Sequence, residues 1–131
     1  MDVLSTRVLV RPKDLPTSRA FYRDVLGLAV YREFGDPDNP AVVLHAGNGL
    51  IEVSTHGDVS PGTNVELWMQ VRDLAAEYDR LAAAGVTILR EAKREPWGLD
   101  EMWIADPDGI RIVLVEVPAE HPMRRDTRVL P

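Results

Sequence analysis

The chain of 131 residues reads as an α+β fold built from two paired βαβββ modules. Three observations predict it. The run Val65–Val71 alternates without a break, with Val65, Leu67, Met69 and Val71 on one face and Glu66, Trp68 and Gln70 on the other, as a strand requires. The same strand-then-helix start occurs at Arg7 to Arg11, and both Arg7 and Asp14 lie 59 positions before a counterpart, Glu66 and Asp73. The two helices end in glycines, Gly27 and Gly85, 58 positions apart. A period of about 60 is too long for a solenoid and suits two modules. Each four-stranded sheet is expected to pack its helix on one face and to curve the other into a cup.

Taken in order, Thr6 to Arg11 is the first strand. Asp14-Leu15-Pro16-Thr17-Ser18 opens a helix, with a polar cap and a proline pre-set for the first turn. Ala20, Phe21, Val25 and Leu26 have helical spacing, and Gly27 ends the helix. Leu28 to Phe34 is a strand, followed by a turn rich in Asp, Asn and Pro through Pro40. Ala41 to Ala46 and Leu50 to Thr55 form a hairpin about Gly47-Asn48-Gly49. His56 to Asn64 is a linker. The order then restarts: strand Val65–Val71, a helix capped by Asp73 with Leu74, Tyr78 and Leu81 on one stripe, strand Val86–Arg90, loop Glu95–Gly98, and strands Met102–Ala105 and Ile110–Glu116 joined by Asp106-Pro107-Asp108-Gly109. The expectation is one domain: module one at about 6–55, linker 56–64, module two at about 65–117, and a polar tail, 118–131, expected to be poorly ordered.

Composition excludes several classes. Hydrophobic content of 45% and charged content of 27% match ordinary globular proteins. No apolar run approaches the roughly 20 residues of a membrane span. The N-terminus has no secretory pattern, so a cytoplasmic location is expected. The absence of cysteine removes disulfides, thiolate metal ligands and thiol nucleophiles. A net charge of −6 argues against a nucleic-acid partner; it favours cationic ligands or simply keeps a small protein soluble.

The motifs Asp14-Leu15 with Ala20-Phe21-Tyr22-Arg23-Asp24-Val25-Leu26-Gly27-Leu28, Val71-Arg72-Asp73-Leu74 with Leu81-Ala82-Ala83-Ala84-Gly85-Val86, and Asp106-Pro107-Asp108-Gly109 resemble the vicinal oxygen chelate superfamily of glyoxalases, bleomycin resistance proteins and extradiol dioxygenases. The resemblance covers about residues 6 to 117. It implies paired βαβββ modules, a homodimer and, in the enzymes, a divalent metal held by one residue from the first and last strand of each module. The matching positions are Arg7, Glu52, Glu66 and Val113. Glu52 and Glu66 can ligate a metal. Arg7, permanently protonated, and Val113 cannot, whereas catalytic sites keep about three protein ligands. No cofactor is therefore expected, and an internal Arg7–Glu52–Glu66 ion pair or triad is the alternative occupant. The second module most resembles bleomycin resistance proteins, through Leu67-Trp68-Met69-Gln70-Val71-Arg72 and Glu95-Pro96-Trp97-Gly98. That likeness implies metal-free sequestration of a planar, cationic drug at a dimer groove.

The candidate ligand-binding residues are Trp97 and Trp68 for stacking, Glu66, Glu52 and Arg7 for charge, Gln70 and Arg111 on the cup face, and Phe34 with Tyr31 as an aromatic wall. The expected partners are a small molecule and a second copy of the chain. The rival reading is a metal-dependent lyase, isomerase or oxygenase using Glu52, Glu66 and His45. Each candidate also has a plainer role: Trp68 and Phe34 as packing, Trp97 as a lid on its own core, and His45 as an ordinary strand residue.

Overall fold

A computed structural model describes residues 1–57 and 61–124. Asp58 to Ser60 of the expected linker and residues 125–131 of the expected tail lie outside the described residues. The element order is β1 (Val8–Val10), α1 (Leu15–Ala20), a wider helical turn (Phe21–Val25), β2 (Val30–Phe34), β3 (Ala41–Ala46), β4 (Gly49–Val53), β5 (Leu67–Gln70), α2 (Leu74–Ala83), β6 (Thr87–Arg94), β7 (Asp100–Ala105), β8 (Arg111–Glu116) and a short turn of helix at Pro122–Arg124.

The strands form two four-stranded sheets with the same topology, β1-β4-β3-β2 and β5-β8-β7-β6. In each, the first strand lies parallel to the last, and the other pairs are antiparallel. The repeat read from the sequence is thus a repeat of whole modules. Its caps match as well. Asp14 accepts from Thr17 N at 3.1 Å and Asp73 from Ala76 N at 3.0 Å, each satisfying an amide that the first turn leaves unpaired. Gly27 and Gly85 both take positive φ, +75° and +79°, the left-handed conformation that ends a helix without steric cost.

Several boundaries differ from the sequence reading. β1 and β5 are shorter than expected, because each holds only as far as its single parallel partner pairs with it. The end of the first helix widens, with Leu26 N bonding to Phe21 O at 2.8 Å, five residues back rather than four. β6 runs on to Arg94 through the charged stretch Arg90-Glu91-Ala92-Lys93-Arg94. It is an edge strand with two register irregularities, and an edge strand tolerates charge on its solvated side.

One core joins the modules. Val10, Val42, Leu44, Ile51 and Val53 from the first sheet pack in the same cluster as Leu67, Met102, Ile104, Ile112 and Leu114 from the second, with Phe21, Tyr22, Leu74 and Leu81 supplied by the helical segments. Polar bonds cross the same seam: the buried Tyr22 hydroxyl donates to Asp106 Oδ2 at 2.8 Å, and Arg80 Nη1 donates to Val25 O at 2.5 Å. Burial pushes both the Tyr22 hydroxyl and the Asp106 carboxyl above their ordinary values. Among the described residues no helix is long and apolar enough to cross a membrane.

Candidate ligand-binding site

The faces turned away from the helices carry the candidate residues, and the strand registers set them in rows. In the first sheet Leu9, Glu52, Val43 and Arg32 lie side by side on β1, β4, β3 and β2. In the second sheet the equivalent row is Trp68, Val113, Trp103 and Arg90 on β5, β8, β7 and β6. The next row of the second sheet is Gln70, Val115, Glu101 and Lys93. Neighbouring strands are about 4.8 Å apart, so each row is a continuous strip.

On the first sheet Glu52 is the hub. Arg7 Nη1 donates to its Oε1 at 3.0 Å, Ser54 Oγ donates to its Oε2 at 2.6 Å, and Arg11 Nη1 lies 3.5 Å from the same oxygen. The Ser54 bond and the two guanidiniums hold the carboxyl below its ordinary value, against the opposing effect of burial. Phe34 lies beneath the Arg32 guanidinium at 5.3 Å. The irregularity between Val30 and Arg32 brings Tyr31 edge-on to His45, with ring centres 5.3 Å apart.

The second sheet is richer in aromatic and charged groups. Arg90 and Arg111 both stack on the Trp103 indole, at 3.9 and 4.5 Å from the ring centre. Arg111 Nη1 also donates to Glu66 Oε1 at 2.9 Å. Arg90 Nη2 lies 2.5 Å from Glu95 Oε1. That ion pair is not aligned as a hydrogen bond, and Arg90 Nε and Glu95 Oε1 have no hydrogen-bond partner. The Trp97 indole N–H donates to Glu101 Oε2 at 2.7 Å. Below these groups Leu99, Val113, Val115, Val117 and Trp103 form a separate apolar floor. Trp68 and Trp97 stand above it, 50% and 59% exposed.

The structure separates residues that the sequence reading placed together. Arg7 pairs with Glu52 as expected, but Glu66 pairs with Arg111 and joins no triad with Arg7. The physical reason is the strand order: Glu52 lies on β4 of the first sheet, whereas Glu66 lies beside β5, whose parallel partner β8 carries Arg111. Trp97 does not fold down as a lid on its own core; its exposed ring is hooked to Glu101. The sequence reading missed Arg90, Glu95, Glu101 and Trp103. The first and last of these were legible in principle, because the repeat maps Arg32 to Arg90 and Val43 to Trp103 once the strand registers are known.

The residues do not fit the superfamily's metal. Glu52 and Glu66 lie on different sheets and each is tied to arginine. His45 lies on the first sheet against Tyr31, and Arg7 and Val113 supply no lone pair. Among the described residues no group of three or more His, Cys, Asp or Glu side chains is placed to hold a metal ion.

A family model described as the Glyoxalase/Bleomycin resistance protein/Dioxygenase superfamily matches residues 5–114. The chain belongs to that superfamily. Solved structures share its fold. A superfamily member from Sphaerobacter thermophilus DSM 20745 matches with a TM-score of 0.72 at 24% identity, covering 88% of this chain and 98% of that one. TnmS3, an antibiotic binding protein from Streptomyces sp. CB03234, matches with a TM-score of 0.73 at 18% identity over 89% and 98% of the two chains. TioX from Micromonospora sp. ML1 matches with a TM-score of 0.70 at 20% identity over 86% and 95%. At these identities the superfamily likeness is one of fold. Comparison with curated protein sequences gives no match.

Proposed function

We propose that this superfamily member is a metal-independent binding protein that sequesters a planar, drug-like molecule, in the manner of bleomycin resistance proteins, in a groove completed by a second copy of the chain. One observation carries the reading: two exposed indoles, Trp68 and Trp97, stand over an apolar floor while the neighbouring Glu66 and Glu95 are already engaged by Arg111 and Arg90. Such a surface offers stacking area and leaves no ligand set for a catalytic metal. The antibiotic-binding fold neighbour is compatible with this reading.

The second copy follows from the edges. β1 and β5 are the outer strands of their sheets, each with backbone groups free on one side. Val8, Leu9, Val65 and Trp68, on or beside these strands, are 42% to 64% exposed. The exposed apolar residues of these strands are the surface that the second copy would cover.

Titration of the protein with 2-(hydroxymethyl)anthracene, a neutral planar probe, is expected to quench tryptophan fluorescence at micromolar concentration. Trp97→Ala is expected to weaken binding about tenfold, as loss of one stacking contact allows. Sedimentation of the same sample should give twice the 14.6 kDa chain mass. The absence of quenching in both wild type and variant would end the binding reading. Stoichiometric nickel, zinc, iron or manganese in protein purified without chelator would favour the enzyme reading instead.

A further inference from the structure

The sequence pointed to a cationic ligand, because the chain is acidic and the cup was expected to display Glu52 and Glu66. The geometry reverses that charge preference. Resting on the binding reading above, we infer that the site takes a planar aromatic ligand carrying an acidic group, a carboxylate or an ionised phenol, with the anion held by Arg111.

Three observations support the assignment. First, the carboxylates that would attract a cation are largely neutralised. Glu52 is held by Arg7 and Arg11, Glu66 by Arg111, and Glu95 by Arg90. Glu101 has no ion-pair partner among the described residues, but it is buried and one of its oxygens is occupied by the Trp97 indole. Second, a ligand cation would seek an indole face, and Trp103 already carries two guanidiniums. Third, donors remain unused. Arg111 has five N–H groups, makes one side-chain hydrogen bond, to Glu66, and its side chain is 35% exposed. Arg90 Nε is a buried donor without an acceptor.

The charge balance of the cup faces agrees. On the second sheet, which carries Trp68 and Arg111, the cations Arg90, Lys93 and Arg111 stand with Glu66, Glu95 and Glu101, three against three, in a chain whose overall charge is −6. A site more positive than the surface around it is the arrangement that concentrates an anion. The spacing suits a ring that bears its acid at one end. Trp68 pairs with Val113, and Arg111 lies two residues earlier on the same strand and face. Strand spacing and rise place the Trp68 and Arg111 backbones about 8 Å apart, so a ring stacked on Trp68 directs an attached carboxylate toward the Arg111 fork, and such charge-assisted bonds are the strong ones.

The test uses one ring with three end groups: anthracene-2-carboxylate, neutral 2-(hydroxymethyl)anthracene and cationic 2-(aminomethyl)anthracene, titrated into wild-type protein at low and moderate salt. The acid is expected to bind about tenfold more tightly than the alcohol, the gain of one charge-assisted hydrogen bond, and the amine more weakly than either. Added salt should narrow the difference. Arg111→Gln should abolish the acid's advantage, read as the ratio of acid to alcohol affinity within the same variant, and Arg111→Lys should restore part of that ratio. Equal affinities for acid and alcohol, or a preference for the amine, would overturn this inference and leave the binding reading standing. Failure of all three rings would overturn both.

Discussion

Glu52 shows how a residue recognised in the sequence acquires its meaning from its neighbours. As a lone carboxylate on a strand it resembles a metal ligand. In the structure it accepts from Ser54 and Arg7 and lies beside Arg11, so its proton affinity is lowered. A group whose folded-state value is depressed stabilises the fold above its ordinary range and loses that contribution as pH falls through the folded value. Wild-type protein is therefore expected to lose stability below about pH 4 more steeply than Glu52→Gln, as followed by urea denaturation across pH 3–7. The opposite shift at Asp106, raised by burial, is common to both proteins and cancels in the comparison. Parallel acid limbs would show that the Arg7–Ser54–Arg11 clamp contributes nothing. The same lesson applies to Arg111. Its alternation with Val113 showed which face it occupies, but only the geometry chose Glu66 over Glu52 as its partner.

At the scale of elements, the Glu95–Gly98 loop owes its position to the start of the C-terminal segment. His121 Nε2 lies 3.0 Å from Trp97 O, and its Nδ1 accepts from Met123 N at 3.2 Å. An Nδ1 that accepts leaves Nε2 as the donor of a neutral ring. Gly98 takes φ +88°, and a Cβ there would lie 3.0 Å from the His121 ring, so the loop and the segment fit closely. This part of the tail, expected from its prolines and polarity to be poorly ordered, is instead clasped to the site. His121→Ala is expected to leave global stability within about 1 kcal/mol, because its two bonds are partly exposed. The same change should speed amide hydrogen exchange at Trp97 and Gly98 and loosen binding through Trp97. Unchanged exchange at both amides would mean that Glu101 alone holds the loop. The composition of this segment carried no sign of the clasp, because a histidine between Pro118 and Pro122 says nothing about which carbonyl it will meet.

At the scale of the whole molecule, the arrangement of the two modules decides what the site can be. Their helix-bearing faces share one core, with the Tyr22–Asp106 bond buried in the seam. Tyr22→Phe would remove the donor and leave a buried carboxylate oxygen without it. The expected cost is about 1–3 kcal/mol, measurable as a lower urea midpoint with unchanged slope. A midpoint equal to wild type would show that the seam is held by apolar packing alone. Because the shared core takes in residues of both sheets and of the helical segments, the site residues lie outside it.

The sequence by itself determined the modules, their order, both helix caps and the strand faces. All of these depend on local rules: a period of two in strands, capping side chains, and glycines where φ turns positive. It also identified Trp68, Glu66 and Arg111 as facing residues, because alternation alone assigns a face, whereas Arg7 and Glu52 came from the resemblance and Trp97 from its Pro-Trp-Gly loop. The tertiary structure decided which of them meet. Pairing depends on strand register and on how two sheets pack, and neither is encoded within a single segment. Trp103, Arg90 and Glu101 entered the site only when β6, β7 and β8 were aligned. The same alignment separated Arg7 from Glu66 and tied Glu52, Glu66 and Glu95 of the expected acidic cup to arginines.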